Sequence, residues 1–107
     1  MSLTRSLIAL VPAALVLAAP LTAHANLELA KKNACMACHA VDKKLVGPAY
    51  LEVARKYEGK KDAVEAVMAS IKAGGSSKWG PIPMPAQAAL SDADVKTLAS
   101  WILGGAK

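Results

Sequence analysis

Five consecutive residues, CMACH from Cys35 to His39, constrain this chain more than any other feature. They hold both cysteines of the sequence and one of its two histidines, the other being His24. Four chemistries use a Cys-x-x-Cys pair. A disulfide would close a very short loop, with a small chain-entropy gain, and would leave His39 without a role. A thioredoxin-like redox pair sits where a strand enters a helix of a βαβ unit, and the chain shows no convincing strand. Zinc needs three or four protein ligands in a spaced arrangement, which three residues this close together rarely supply alone. Covalent haem attachment uses all three side chains. Two thiols spaced by two residues add to the two haem vinyl groups, and the imidazole that follows becomes an axial ligand of the iron. The motif therefore points to one covalent haem c, held by Cys35 and Cys38 and ligated by His39.

The rest of the composition agrees. Residues 1–25, MSLTRSLIALVPAALVLAAPLTAHA, carry Arg5 in a short start, an apolar run from Leu7 to Leu21, and small residues around Ala23 and Ala25. This is the pattern of a secretory signal peptide cleaved after Ala25. As a membrane anchor the run is too short, since a span needs about 20 apolar residues, and it contains Pro12 and Pro20. The mature domain is then residues 26–107, exported to the periplasm and without a stable anchor. Its 12 Lys and Arg against 8 Asp and Glu leave it basic. A domain of this size is near the lower limit for a core built from protein alone. It has no Phe and only Tyr50, Tyr57, Trp79 and Trp101 as aromatics. A haem fixed by thioethers supplies the missing apolar bulk.

A His-ligated iron has a sixth position, and what fills it separates electron transfer from ligand binding. Met36 lies inside the attachment loop and cannot reach the far face. Met68 falls at a core spacing of a helix. Met84 lies in WGPIPMP, where Pro81, Pro83 and Pro85 fix φ and bias their neighbours toward extended backbone. Such a strap would hold the Met84 sulfur on the iron without a hydrogen-bonded ladder.

The remaining segments read as helices joined by loops, which makes the fold all-α, with about four helices wrapped around the haem. Leu27, Ala30 and Ala34 share a face of a first helix leading into the motif. Residues 41–50, with Gly47-Pro48, form a loop. A short helix spans about residues 49–57 and ends near Gly59. Val64, Val67, Met68 and Ile71 mark a third helix stopped by Gly74-Gly75. The last opens on Ser91-Asp92-Ala93-Asp94, a capping pattern, carries Val95, Leu98, Ala99 and Ile102 on one face, and stops at Gly104-Gly105. The first and last helices should cross and pack together. No repeat, low-complexity tract or second domain interrupts the sequence.

CMACHAVDKKLVGPAY followed by WGPIPMP resembles the small bacterial class I cytochromes c, and among them the cytochrome c-551 group. The resemblance covers essentially all of residues 26–107. It implies a soluble periplasmic electron shuttle that takes one electron from a membrane donor complex. Delivery would be to a terminal reductase or oxidase, often nitrite reductase in a denitrifying respiratory chain. It also implies roles for two further residues. The carbonyl of Pro48 would accept a hydrogen bond from the second ring nitrogen of His39, and the Trp79 indole N–H would meet a haem propionate. A packing role for Trp79 in the core is the simpler alternative. Two positions depart from the family pattern: Ser70 stands where well-known members have a propionate-binding Arg, and Gln87 where they have an Asn beside the methionine sulfur.

Lys31, Lys32, Lys43, Lys44 and Lys78 lie near the motif or the strap in sequence. They would either ring an exposed haem edge and steer a redox partner, or simply keep an exported monomer soluble. They form no run, and no nucleic-acid motif accompanies them. The competing class is a haem gas sensor or a peroxidase-like enzyme with an open sixth position. It needs a distal His or Arg, and the mature sequence offers no second His and only Arg55. The reading is therefore of a carrier, not an enzyme.

Overall fold

The computed structural model describes residues 21–107. Most of the expected signal segment, 1–25, thus lies outside the described residues. Four α-helices carry the fold: α1 (Leu21–Lys32), α2 (Tyr50–Lys56), α3 (Ala63–Ala73) and α4 (Asp92–Leu103), with a 3-10 turn at Cys35–Ala37. Among the described residues the extended pairing is a single isolated antiparallel bridge, Gly75 with Met84. The all-α expectation holds.

Helix α4 organises the rest. Ser91 caps it by accepting the Asp94 N–H at 3.1 Å, and Asp92 and Asp94 place negative charge at the positive end of the helix. Its apolar stripe of Val95, Leu98, Ala99 and Ile102 is buried, as is Trp101. Burying a side chain such as Leu98 contributes about 1.5–3 kcal/mol. The helix stops in a glycine cap: Gly105 has φ 89°, its N–H reaches Ile102 O at 3.0 Å, and the Ala106 N–H reaches Trp101 O at 2.9 Å. Helices α1, α2 and α3 all pack on α4. The contact of the first and last helices is as expected, and Ala30 and Ala99, both wholly buried, put small side chains into the core. Val67 and Ile71 are buried on α3, while Val64 and Met68 pack half-buried beside them.

Helix α1 differs from its expected extent at both ends. It already runs at Leu21, the first described residue, and so crosses the expected Ala25–Asn26 cleavage junction. It ends before Ala34, whose φ of 59° is left-handed. Ala34 therefore does not belong to the α1 face. It turns the chain out of the helix and into the 3-10 turn, helped by Asn33, whose side-chain amide donates to Leu29 O at 2.8 Å. An L-residue pays about 1–2 kcal/mol for this conformation and glycine does not. Ala34→Gly is expected to raise stability by about 0.5–1 kcal/mol, read as a higher denaturation midpoint at unchanged slope.

Candidate haem site

The left-handed step at Ala34 coils the motif tightly. The N–H groups of Cys38 and His39 both reach the carbonyl of Cys35, at 3.2 and 3.0 Å. This coil brings Cys35, Cys38 and His39 to the wall of one cavity of about 310 Å³. The two cysteines form no disulfide with each other. Burial pushes the Cys35 thiol above its ordinary value, with a partial offset from hydrogen bonding to backbone and to Tyr50. A nucleophilic Cys-x-x-Cys pair needs the reverse, a lowered thiol.

His39 is held on three sides. Its Nδ1 lies 2.8 Å from the carbonyl of Pro48. A carbonyl only accepts, so the proton sits on Nδ1 and Nε2 keeps its lone pair for a metal. The Tyr50 ring stacks on the imidazole at 5.0 Å between centroids and 20° between planes. Gly47 makes room on another side: a Cβ there would stand 2.6 Å from His39 Cε1. The loop carrying Gly47 and Pro48 is tied back by Gly47 N–H to Cys38 O at 2.8 Å and Tyr50 N–H to Ala40 O at 3.0 Å. Tyr50 is itself clamped by Trp101, edge to face at 5.6 Å. Burial, with Cys35 beside it, pushes the Tyr50 phenol well above its ordinary value, so the ring against His39 stays neutral.

The second wall is the proline strap. It is held by more than prolines, which corrects the expectation of a strap without hydrogen-bonded pairing. The Met84 N–H donates to Gly75 O at 2.8 Å and the Gly75 N–H to Met84 O at 3.0 Å. One residue earlier, Gly74 has φ 62° and ψ −154°, and a Cβ there would meet Met84 O at 2.3 Å. The strap thus lies directly on the Gly74 backbone. Gln87 fastens its far end, N–H to Ile71 O at 3.0 Å. Sequence reasoning assigns Gly74 and Gly75 only the stop of α3 and misses their role against Met84, although a glycine pair shortly before a braced methionine is an available signal. Among the methionines of the described residues, Met84 alone lines the cavity, while Met36 and Met68 pack against the core.

Between the walls the interior surface is apolar, with Val53, Val67, Ile71, Leu98 and Ile102 buried along it. Trp79 is not in the core. It lines the rim at 37 % exposure, with Lys56 Nζ 4.5 Å from its ring centroid. Leu45, Val46 and Ile82 are exposed around the same rim. Of the five lysines near the motif and strap in sequence, Lys44 and Lys78 reach the cavity and Lys31, Lys32 and Lys43 do not. Ser70 lines it as well, and Gln87 does not. Two thiol side chains, an imidazole with an available nitrogen, a thioether and an apolar slot between them form a donor set that fits haem.

The chain is similar to known proteins over this same region. A family model described as cytochrome c matches residues 27–106. Cytochrome c-552 of Hydrogenobacter thermophilus is 56% identical over 79 residues, covering 74% of this chain and 80% of that one. Cytochrome c-551 of Pseudomonas denitrificans is 55% identical over 76 residues, covering 71% and 92%. The crystal structure of wild-type Nitrosomonas europaea cytochrome c552 superposes with a TM-score of 0.71 at 52% identity, covering 74% of this chain and 98% of that one.

Proposed function

The chain belongs to the cytochrome c family and carries one covalently bound haem c, and on that footing we propose that it is a periplasmic one-electron carrier. When bound, the haem supplies a ferric–ferrous couple whose potential is set by its axial ligands and surroundings. Cys35 and Cys38 hold it through thioethers. His39 Nε2 and Met84 Sδ would ligate the iron, and the Pro48 carbonyl fixes the imidazole by keeping the proton on Nδ1. The Trp79 indole would donate to a haem carboxylate at the rim. Met84 would close the sixth position of the iron, excluding water and small ligands and leaving electron transfer as the available chemistry. The observation that carries this reading is the cavity to which the Cys35–His39 coil and the Met84 strap both contribute.

Residues 1–25 are read as the export signal, so the working protein is residues 26–107 with α1 beginning at its own N-terminus. Leu45, Val46 and Ile82, with Lys44 and Lys78, form the docking rim. A small apolar patch edged by lysines suits a short-lived encounter with an acidic redox partner. The donor is a membrane complex and the acceptor a terminal reductase, such as a nitrite reductase, or an oxidase.

The sensor or peroxidase alternative is not favoured. Its required distal donor would be Arg55, which lies outside the cavity lining and pairs with Glu52 at 2.5 Å. The reading is tested by potentiometric titration of protein matured in a periplasm. One reversible electron per chain, with haem that resists acid-solvent extraction and no turnover of peroxide, is the expected result. Extractable haem or peroxide turnover contradicts it.

A further inference from the structure

Haem brings two carboxylates into a slot whose described lining contains no Asp or Glu and two lysines, Lys44 and Lys78. Lys44 sits in the loop next to the His39 wall. Lys78 sits on the strap side, adjacent to Trp79, and its Nζ rests 3.2 Å from the hydroxyl of Ser70. That hydroxyl spends its own proton on the carbonyl of Ala66 at 3.1 Å. Its lone pairs therefore face the ammonium, which uses one N–H on Ser70 and keeps two. Beside it, Lys56 covers a face of the Trp79 ring, an arrangement that leaves the in-plane indole N–H usable. The result is a corner with an anchored cation and an adjacent neutral donor, at the polar edge of an otherwise apolar slot.

We propose that Lys78, seated on Ser70, is the residue that positions one carboxylate of the haem, with the Trp79 indole as its second donor. This rests on the carrier reading above. It also gives Ser70 a purpose. A side chain carrying its own cation at residue 70 would compete with Lys78 for the same corner, whereas a serine hydroxyl supports it. The ammonium is a compact point charge with rotatable donors, so it pairs with a carboxylate without the fixed fork that arginine imposes. Lys44 has no such seat among the described hydrogen bonds and serves as the internal control.

The test uses intact holoprotein in five forms: wild type, Lys78→Gln, Lys78→Arg, Lys44→Gln and the double variant Ser70→Arg/Lys78→Val. The readouts are the NMR resonances of the two haem carboxylate side chains and the reduction potential. Losing a cation beside a haem carboxylate favours the ferric state, so the potential falls. Lys78→Gln is expected to move the resonances of one carboxylate only and to lower the potential more than Lys44→Gln does. Lys78→Arg restores both readouts, and so does the double variant, because it returns a cation to the same corner. Lys78 is exposed, so these changes leave the fold and the visible spectrum intact. Equal effects of Lys78→Gln and Lys44→Gln, or carboxylate resonances unmoved in Lys78→Gln, overturn the proposal. Failure of the carrier reading would show separately, as an accessible sixth position in the wild type.

Discussion

Met84→Ala is expected to yield a protein that still carries covalent haem, binds carbon monoxide when reduced, and has a clearly lower reduction potential. The drop should be on the order of 100 mV or more, a modest part of the roughly 0.8 V over which axial ligands set haem potentials. Loss of the thioether removes the ligand that favours the ferrous state. The substitution is well isolated from the rest of the fold. Cys35 and Cys38 belong to the other wall, and the Gly75–Met84 bridge is made by backbone atoms that alanine retains. Spectroelectrochemistry with and without the gas checks it. An unchanged potential together with unchanged gas reactivity would mean that another group fills the sixth position.

Gly74→Ala is expected to loosen the same ligand without touching it. The φ of 62° with ψ of −154° at this residue is a region open essentially only to glycine. The added Cβ would also lie 2.3 Å from the Met84 carbonyl oxygen and 2.8 Å from the Ala86 nitrogen. Both are backbone atoms, so no rotamer change relieves the clash and the strap must lift. Strain and overpacking together should cost about 2–5 kcal/mol. The reduced variant should take up carbon monoxide to an extent between wild type and Met84→Ala. Gly59→Ala is the control, since Gly59 also has a positive φ, 75°, but a Cβ there would meet nothing within 4 Å. It should lose only about 1 kcal/mol and gain no gas reactivity. Equal behaviour of the two variants would mean that the strap does not hold Met84 in place.

The legible parts of the chain are those whose signal is local. CMACH states its chemistry in five adjacent residues, and α4 announces itself through a cap, an apolar stripe and a glycine stop. Both survive in the structure because no distant contact has to agree with them. The Gly75–Met84 bridge is not legible, since glycine carries no side-chain pattern and the pairing spans an irregular loop. Ala34 reads as helix because alanine favours helix; its left-handed turn is imposed by the tight coil that follows. The Lys78–Ser70 contact joins a strap residue to a helix residue, and neither predicts the other. Trp79 is poised between core and rim in the sequence, and only the fold of the strap puts it on the rim.

Everything proposed for this protein turns on a sixth position closed by Met84 in a cavity shared with Cys35, Cys38 and His39. The most direct measurement is a carbon monoxide challenge of the reduced, periplasmically matured wild-type protein, followed by visible absorption. A c-type haem spectrum that the gas leaves unmoved is the expected result. A prompt spectral shift would contradict it and make the gas-binding reading the stronger one.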